Sequence, residues 1–264
     1  MTFASVVAAF LMAEIALAAI MGLAWSVERA TGQTGWIDAV WTFGVGVTGA
    51  VLAVLPLGDG DGAGWRRAAV AVAVALWALR LGGHVVARTL KTPDDPRYRK
   101  MIQAWGDAAS LQLFTFLQIQ ALAGAALAVS VALAAHAGSP TFGIRDGMGL
   151  ILFVIALGGE AAADAQLARF KADPARRGEI CDVGLWAWSR HPNYVCEWLV
   201  WVGFAITASV DAIGVLAWLA PALMYWTLRY ASGVPPLEEH MLRTRPEAFR
   251  AYQQRTPLFF PRLF

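Results

Sequence analysis

Apolar residues run in long unbroken stretches along this chain, at roughly 3 to 27, 36 to 57, 65 to 87, 110 to 136, 147 to 165, 194 to 210 and 212 to 231, and the charged residues are concentrated between them. Most stretches approach or exceed the ~20 residues that a helix rising ~1.5 Å per residue needs to cross ~30 Å of hydrocarbon. They are continuous and rich in Ala and Leu, not ten-residue segments alternating in polarity, so helices are expected and a β-barrel is not. The pattern predicts an all-α polytopic integral membrane protein with about seven transmembrane helices. Only Val210, Asp211 and Ala212 separate the last two stretches, which makes them a tight helical hairpin or a single bent element. The first stretch is longer than the core of a signal peptide and lacks a basic leading region, and so is read as a span.

Composition agrees with a membrane class. The 264 residues are 58% hydrophobic and 15% charged, whereas soluble domains carry roughly 25% charged residues. The net charge of +2 hides a strong partition. If the chain changes sides at each span, Arg66, Arg67 and Arg145 fall on one side and Arg80 within a span; every other Lys and Arg falls on the opposite side. The positive-inside rule makes the rich side cytoplasmic, with the N-terminus outside and the C-terminus inside, as for a protein of the bacterial inner membrane.

Several candidate chemistries are set aside by spacing. His84, His136, His191 and His240 are scattered without metal-ligand spacing, so no metal is expected. The basic loops carry no nucleic-acid-binding motif. Cys181 and Cys196 have no CxxC partner and lie at the cytoplasmic end of the chain, where thiols stay reduced. The glycine-rich stretch 58–64 looks like a phosphate loop but follows no strand and contains Asp59 and Asp61, so a flexible turn is expected.

The loop before the sixth stretch holds more than charge. It ends in Gly184-Leu185-Trp186 and Ser189-Arg190-His191-Pro192-Asn193-Tyr194, and Pro192 suits the start of a helix that places Asn193 and Tyr194 in its first turn. Glu197 lies about one turn further on, where a carboxylate must be paired or face a wet cavity. Glu160 and Asp164 are one turn apart near the end of the fifth stretch, and together with Asn193 and Glu197 they predict a polar cavity open to the cytoplasm. Glu14, Asp38, Arg80, Gln112, Gln118, Gln120 and Gln166 are further polar residues in or at the ends of apolar runs, some of which serve as interhelical hydrogen-bond partners.

Asp164, the basic loop and the Ser-Arg-His-Pro-Asn-Tyr run followed by Glu197 resemble the C-terminal region of the steroid 5α-reductase family and its bacterial relatives, as do Glu238-Glu239-His240 through Tyr252, Arg255-Thr256-Pro257 and Pro261. The resemblance is best over residues 160 to 264, with a weaker echo at His84 and Arg88-Thr89. Within a single membrane domain over 1–264, it makes 110–264 the family-like reductase region and leaves helices 1–109 poorly matched. It implies NADPH-dependent reduction of the C=C bond of a Δ4-3-ketosteroid or similar enone lipid, with the lipophilic substrate entering from the bilayer. Carried over residue by residue, it implies a cofactor pocket with Asn193, Tyr194, Asp164, Lys171 and Arg229. Arg97 and Arg99 would lie along the phosphates, and Glu197 would help to position the nicotinamide end. Arg-His-Pro-x-Tyr equally resembles the isoprenylcysteine methyltransferases that use S-adenosylmethionine, though these typically have Gly where this chain has Cys196. A non-enzymatic transporter or assembly factor is a third class.

Hydride attack at the β-carbon of an enone places negative charge on the carbonyl oxygen, so the chemistry needs a proton donor aimed there. The steroid reductases use a tyrosine and a glutamate, and the position of that tyrosine is Val85 here. Asp38, in the second stretch within Trp36-Ile37-Asp38-Ala39-Val40-Trp41, is the expected intramembrane acid, or else a bridge between helices.

Overall fold

The computed structural model describes residues 1–57, 63–138 and 140–260. The glycine-rich turn expected at 58–64 falls mostly outside the described residues, as do Pro261 and Arg262. Every regular element among the described residues is helical: α1 (Phe3–Thr31), α2 (Trp36–Val54), α3 (Gly64–Thr89), α4 (Pro96–Trp105), α5 (Ala109–Ala135), α6 (Ile144–Ala172), α7 (Leu185–Trp188), α8 (Pro192–Ala208), α9 (Leu219–Trp226), α10 (Val234–Thr244) and α11 (Pro246–Arg255), with short 3₁₀ and π turns between some of them.

Among the described residues, five helical segments are long and apolar enough to cross a membrane: α1, α2, α3, the run Pro96–Ala135 and α6. The sixth expected span is the 17-residue α8. The seventh is an interrupted path of a 3₁₀ turn at Gly214–Trp218, the eight residues of α9 and a π turn at Thr227–Ala231. Pro221 lies near the start of α9, where its missing N–H and fixed φ oppose a regular helix through the preceding turn.

The chain forms two compact units, one of Met1–Gly147 with Phe204–Ala220 and one of Met148–Gly203 with Pro221–Phe264. In the first unit α1, α2, α3 and α5 pack together around Leu17, Met21, Val45, Val74, Trp77 and Leu117. Close approach depends on small residues: a Cβ built on Gly46 of α2 would lie 2.3 Å from that of Ala78 on α3. One end of this unit is sewn by its loops. Gly32 closes α1 in the left-handed region, at φ 68°. Thr34 Oγ1 then accepts from Asp95 N at 2.8 Å, and Gly35 N donates to Pro93 O at 2.8 Å. Asp95 caps α4 by accepting from Arg97 N at 2.9 Å, with Pro96 in the first turn.

A second fastening of this unit is Arg66 of α3, 1% exposed. Its Nε and Nη2 hold Asp146 at 2.8 and 3.0 Å, and it also donates to the carbonyls of Ala137 and Thr141. Arg66→Ala strands a buried carboxylate and two backbone carbonyls, so it is expected to destabilise the protein by about 3 to 5 kcal/mol. Reversible unfolding in mixed micelles checks this; a loss under about 1 kcal/mol would mean that water replaces the guanidinium.

In the second unit Phe170, Cys181 and Trp186 form a small core with Leu167 against it. Trp186 Nε1 donates to Ala163 O at 3.0 Å, and Leu185 N donates to Gln166 Oε1 at 2.9 Å. Gly184 turns the chain there at φ 61°, where a Cβ would come within 2.6 Å of Gln166 Oε1.

Candidate functional site

In the second unit the sequence motif divides between two jobs. Arg190 and His191 face the C-terminal segment. Arg190 Nε donates to Glu238 Oε1 at 2.7 Å, its Nη1 to Thr256 O at 2.7 Å, and its backbone N to Pro257 O at 2.9 Å. His191 Nε2 meets the same Glu238 Oε1 at 3.2 Å, and Gln253 Nε2 donates to Oε2 at 2.8 Å. Tyr252 Oη donates to Trp186 O at 2.5 Å. Beyond α11, Phe260 packs edge-on to Trp198 at 5.3 Å. Burial works to raise the Glu238 carboxyl, and the hydrogen bonds from His191, Arg190 and Gln253 with the Arg190 charge outweigh it, holding the group at about 2. Burial pushes His191 below its ordinary value against the pull of Glu238, with Arg190 and Arg229 adding to the depression.

Asn193 and Tyr194, the other half of the motif, start α8. Asn193 Nδ2 donates to Asp164 Oδ1 at 3.3 Å, bringing two of the expected cofactor-pocket residues together. Tyr194 stacks on His191 with ring centroids 5.5 Å apart and planes 9° from parallel. Lys171 is exposed at the end of α6, and Arg229 sits in the π turn with its guanidinium 4.8 Å from the Tyr230 ring centroid. Neither has a carboxylate partner among the described residues. Three arginines of this unit are engaged, Arg176 by Asp173, Arg245 by the Glu179 carbonyl and Arg255 by Asp182, while Arg169, Arg177 and Arg250, like Lys171 and Arg229, have no carboxylate partner among the described residues. Glu197 is 4% exposed and accepts from Trp201 Nε1 at 3.0 Å, while Glu160 is 3% exposed. The two carboxylates expected to line an open cavity with Asp164 and Asn193 are therefore packed away from solvent.

In the first unit Asp38 lies in the first turn of α2, at the end of that span. Its Oδ2 receives Arg97 Nη2, with Arg88 Nη2 at 3.8 Å, and its Oδ1 receives the Tyr98 hydroxyl at 2.8 Å. Arg97 also grips Asp95, at 3.0 Å from Nε and 2.9 Å from Nη2. Burial works to raise the Asp95 carboxyl, and the Arg97 hydrogen bonds and the Arg88 charge outweigh it, holding it below the usual carboxylate range. Arg99 pairs with Asp94. Both arginines expected along cofactor phosphates are thus engaged by carboxylates of their own unit.

Tyr98 is the residue that sequence reasoning missed. It is 3% exposed, donates to Asp38 and accepts from Gln120 Nε2 at 2.9 Å. Val85, at the position of the family tyrosine, is buried in α3. A signal was present: Asp95-Pro96 is a helix-start pattern, and the helix it opens presents Tyr98 in its first turn.

Comparison with known proteins follows the same outline. A family model described as a protein of unknown function (DUF1295) matches residues 24–256. An uncharacterised protein of Schizosaccharomyces pombe is 28% identical over 271 residues, covering 90% of this chain and 76% of the relative. The nickel-cobalt-cadmium resistance protein NccN of Alcaligenes xylosoxydans xylosoxydans is 41% identical over 86 residues, 32% of this chain and 37% of that protein. The cobalt-zinc-cadmium resistance protein CzcN of Cupriavidus metallidurans is 42% identical over 81 residues, 30% of this chain and 34% of that protein. No solved structure matches the chain. With a match that runs from α1 to the end of α11, the chain belongs to the DUF1295 family, the steroid 5α-reductase-like family of membrane proteins.

Proposed function

We propose that this protein is an integral membrane reductase that uses NADPH to reduce the C=C bond of a lipophilic enone of the Δ4-3-ketosteroid kind. The observation that carries the proposal is the hydrogen bond that joins Asn193 to Asp164 in the second unit, whose Lys171 and Arg229 have no carboxylate partner among the described residues. Cofactor phosphates are polyanionic, and an arginine without a carboxylate partner suits them. Because Arg97 and Arg99 are held by carboxylates, the phosphate contacts are assigned first to Lys171 and Arg229.

NADPH, when bound, supplies the hydride. Its arrival at the β-carbon moves the π electrons to the carbonyl oxygen, which then takes a proton. Asp38, expected to hold that proton, instead accepts from Arg97 and from the Tyr98 hydroxyl. The proton is therefore assigned to Tyr98, whose hydroxyl hydrogen leaves Asp38 by rotation about the phenolic C–O bond, with Asp38 as its positioning partner. Tautomerisation of the enol completes addition of hydride and proton across the double bond. Under the same proposal α8 and the path 214–231 are the sixth and seventh crossings, in a bacterial inner membrane. The Lys and Arg excess sets the N-terminus outside and the C-terminus in the cytoplasm.

Thermal unfolding of the purified protein with each nucleotide is the test. NADPH at about 100 times its Kd is expected to stabilise by about 2.7 kcal/mol, and S-adenosylmethionine is expected to do nothing. Asn193→Ala is expected to lose the NADPH effect. Stabilisation by S-adenosylmethionine alone would replace the reductase with the methyltransferase.

A further inference from the structure

Among the described residues, Gln120 of α5 carries an acceptor with nothing to accept from. Its side-chain nitrogen donates to Tyr98 Oη at 2.9 Å, its backbone carbonyl takes the Trp41 indole N–H at 2.9 Å, and its side-chain Oε1 is buried without a hydrogen-bond partner among them. The amide is not free to exchange its two ends. Tyr98 has one hydroxyl proton, which Asp38 Oδ1 takes at 2.8 Å, so only an N–H can face the phenol oxygen. The carbonyl end is therefore fixed on the side away from Tyr98, and buried polar atoms in native proteins are rarely left unpaired.

We propose that Gln120 Oε1 receives a hydroxyl group of the lipid ligand, so that Gln120, with Tyr98 and Trp41, forms a polar subsite of the first unit that selects lipophilic alcohols. An amide oxygen can only accept, so the complementary group must be a donor. For a largely apolar ligand arriving from the bilayer, that donor is a hydroxyl. The subsite lies within reach of the lipid-facing surface: Gln120 is half-buried, and its chain neighbour Ile119 is 59% exposed. Phe116, one turn earlier on α5, packs edge-on to Tyr98 at 6.2 Å and gives the subsite an apolar flank for a ring system or isoprenoid chain. The inference rests on the proposed function only for the lipid class, and requires nothing of the cofactor.

Binding to the full chain in nanodiscs without nucleotide is the test, read by tryptophan fluorescence. Two matched pairs serve as probes, each with its hydroxyl where an enone carbonyl would sit: cholesterol with its 3-methyl ether, and geranylgeraniol with its acetate. The alcohol of at least one pair is expected to bind about tenfold or more tighter than its partner, because the partner leaves Oε1 unpaired. In Gln120→Met, which keeps the volume, the margin is expected to fall below about twofold. Gln120→Glu, which keeps an acceptor, is expected to retain the preference. Equal binding within both pairs, as for a subsite that holds only water, overturns the inference. So does a margin that survives Gln120→Met, or a failure of all four probes to bind. If Gln120→Met does not fold, the two pairs on the unmodified protein decide. With no nucleotide present, a failure of NADPH binding leaves this result untouched, and loss of the alcohol preference leaves the reductase proposal standing.

Discussion

Tyr98→Phe is expected to lower enone turnover by about 10²- to 10⁴-fold, with NADPH-dependent stabilisation unchanged. The ring remains, so the edge contact with Phe116 is kept, and only the hydroxyl between Asp38 and Gln120 is lost. Asp38→Asn is the companion variant. It removes one of the two carboxylates that hold Arg97 and weakens the acceptor that orients the phenol, so a smaller fall in kcat is expected, with only a modest loss of stability because Arg97 keeps Asp95. The pair separates roles: a donor lost in Tyr98→Phe lowers kcat and kcat/KM together, whereas a binding contact raises KM. Turnover in Tyr98→Phe within about threefold of the unmodified protein would remove Tyr98 from the chemistry and return the acid to another residue.

The membrane helices are legible because hydrocarbon leaves little choice. An apolar run at 110 to 136 becomes α5 at Ala109–Ala135, and a run at 194 to 210 becomes α8 at Pro192–Ala208. The run at 212 to 231 has the same composition, but it breaks into 3₁₀, α and π pieces, because run length says nothing about a proline's demand on the turn before it. Asn193 with Asp164 was legible as a motif, and the fold does join them. Tyr98 was hidden by the charges around it: between spans three and four, Arg97, Arg99 and Lys100 read as a topogenic loop, and nothing local says that a tyrosine among them turns inward to Asp38, 60 residues earlier. The arginines misled for the same reason. A basic residue near a span end is equally a phosphate ligand and half of an ion pair, and only tertiary structure shows which carboxylate has claimed it.

The Ser-Arg-His-Pro run makes the largest structural demand in the second unit, and Glu238→Ala is the variant that exposes it. Arg190 and Glu238 are 10% and 14% exposed, and the carboxylate is shared by Arg190, His191 and Gln253. Its removal leaves the Arg190 guanidinium without a carboxylate partner among the described residues, so destabilisation of about 3 to 5 kcal/mol is expected. The pH dependence gives an independent signature. Glu238 falls from 4.5 to about 2 on folding, so its contribution is complete above about pH 4.5 and is lost as pH falls through about 2. His191 is depressed from 6.5 by burial, so protons bind the unfolded chain first, and its contribution is complete above 6.5 and declines below. Stability of the unmodified protein should therefore begin to fall near pH 6.5 and fall more steeply below 4.5. Glu238→Ala should lose the second limb and deepen the first, because His191 loses the hydrogen bond that opposed its depression. Unfolding midpoints in mixed micelles between pH 2 and 8 measure both limbs. An unchanged acid limb in Glu238→Ala would mean that this limb does not come from Glu238, and the C-terminal helices would then be held by Tyr252 and the Phe260 contact instead.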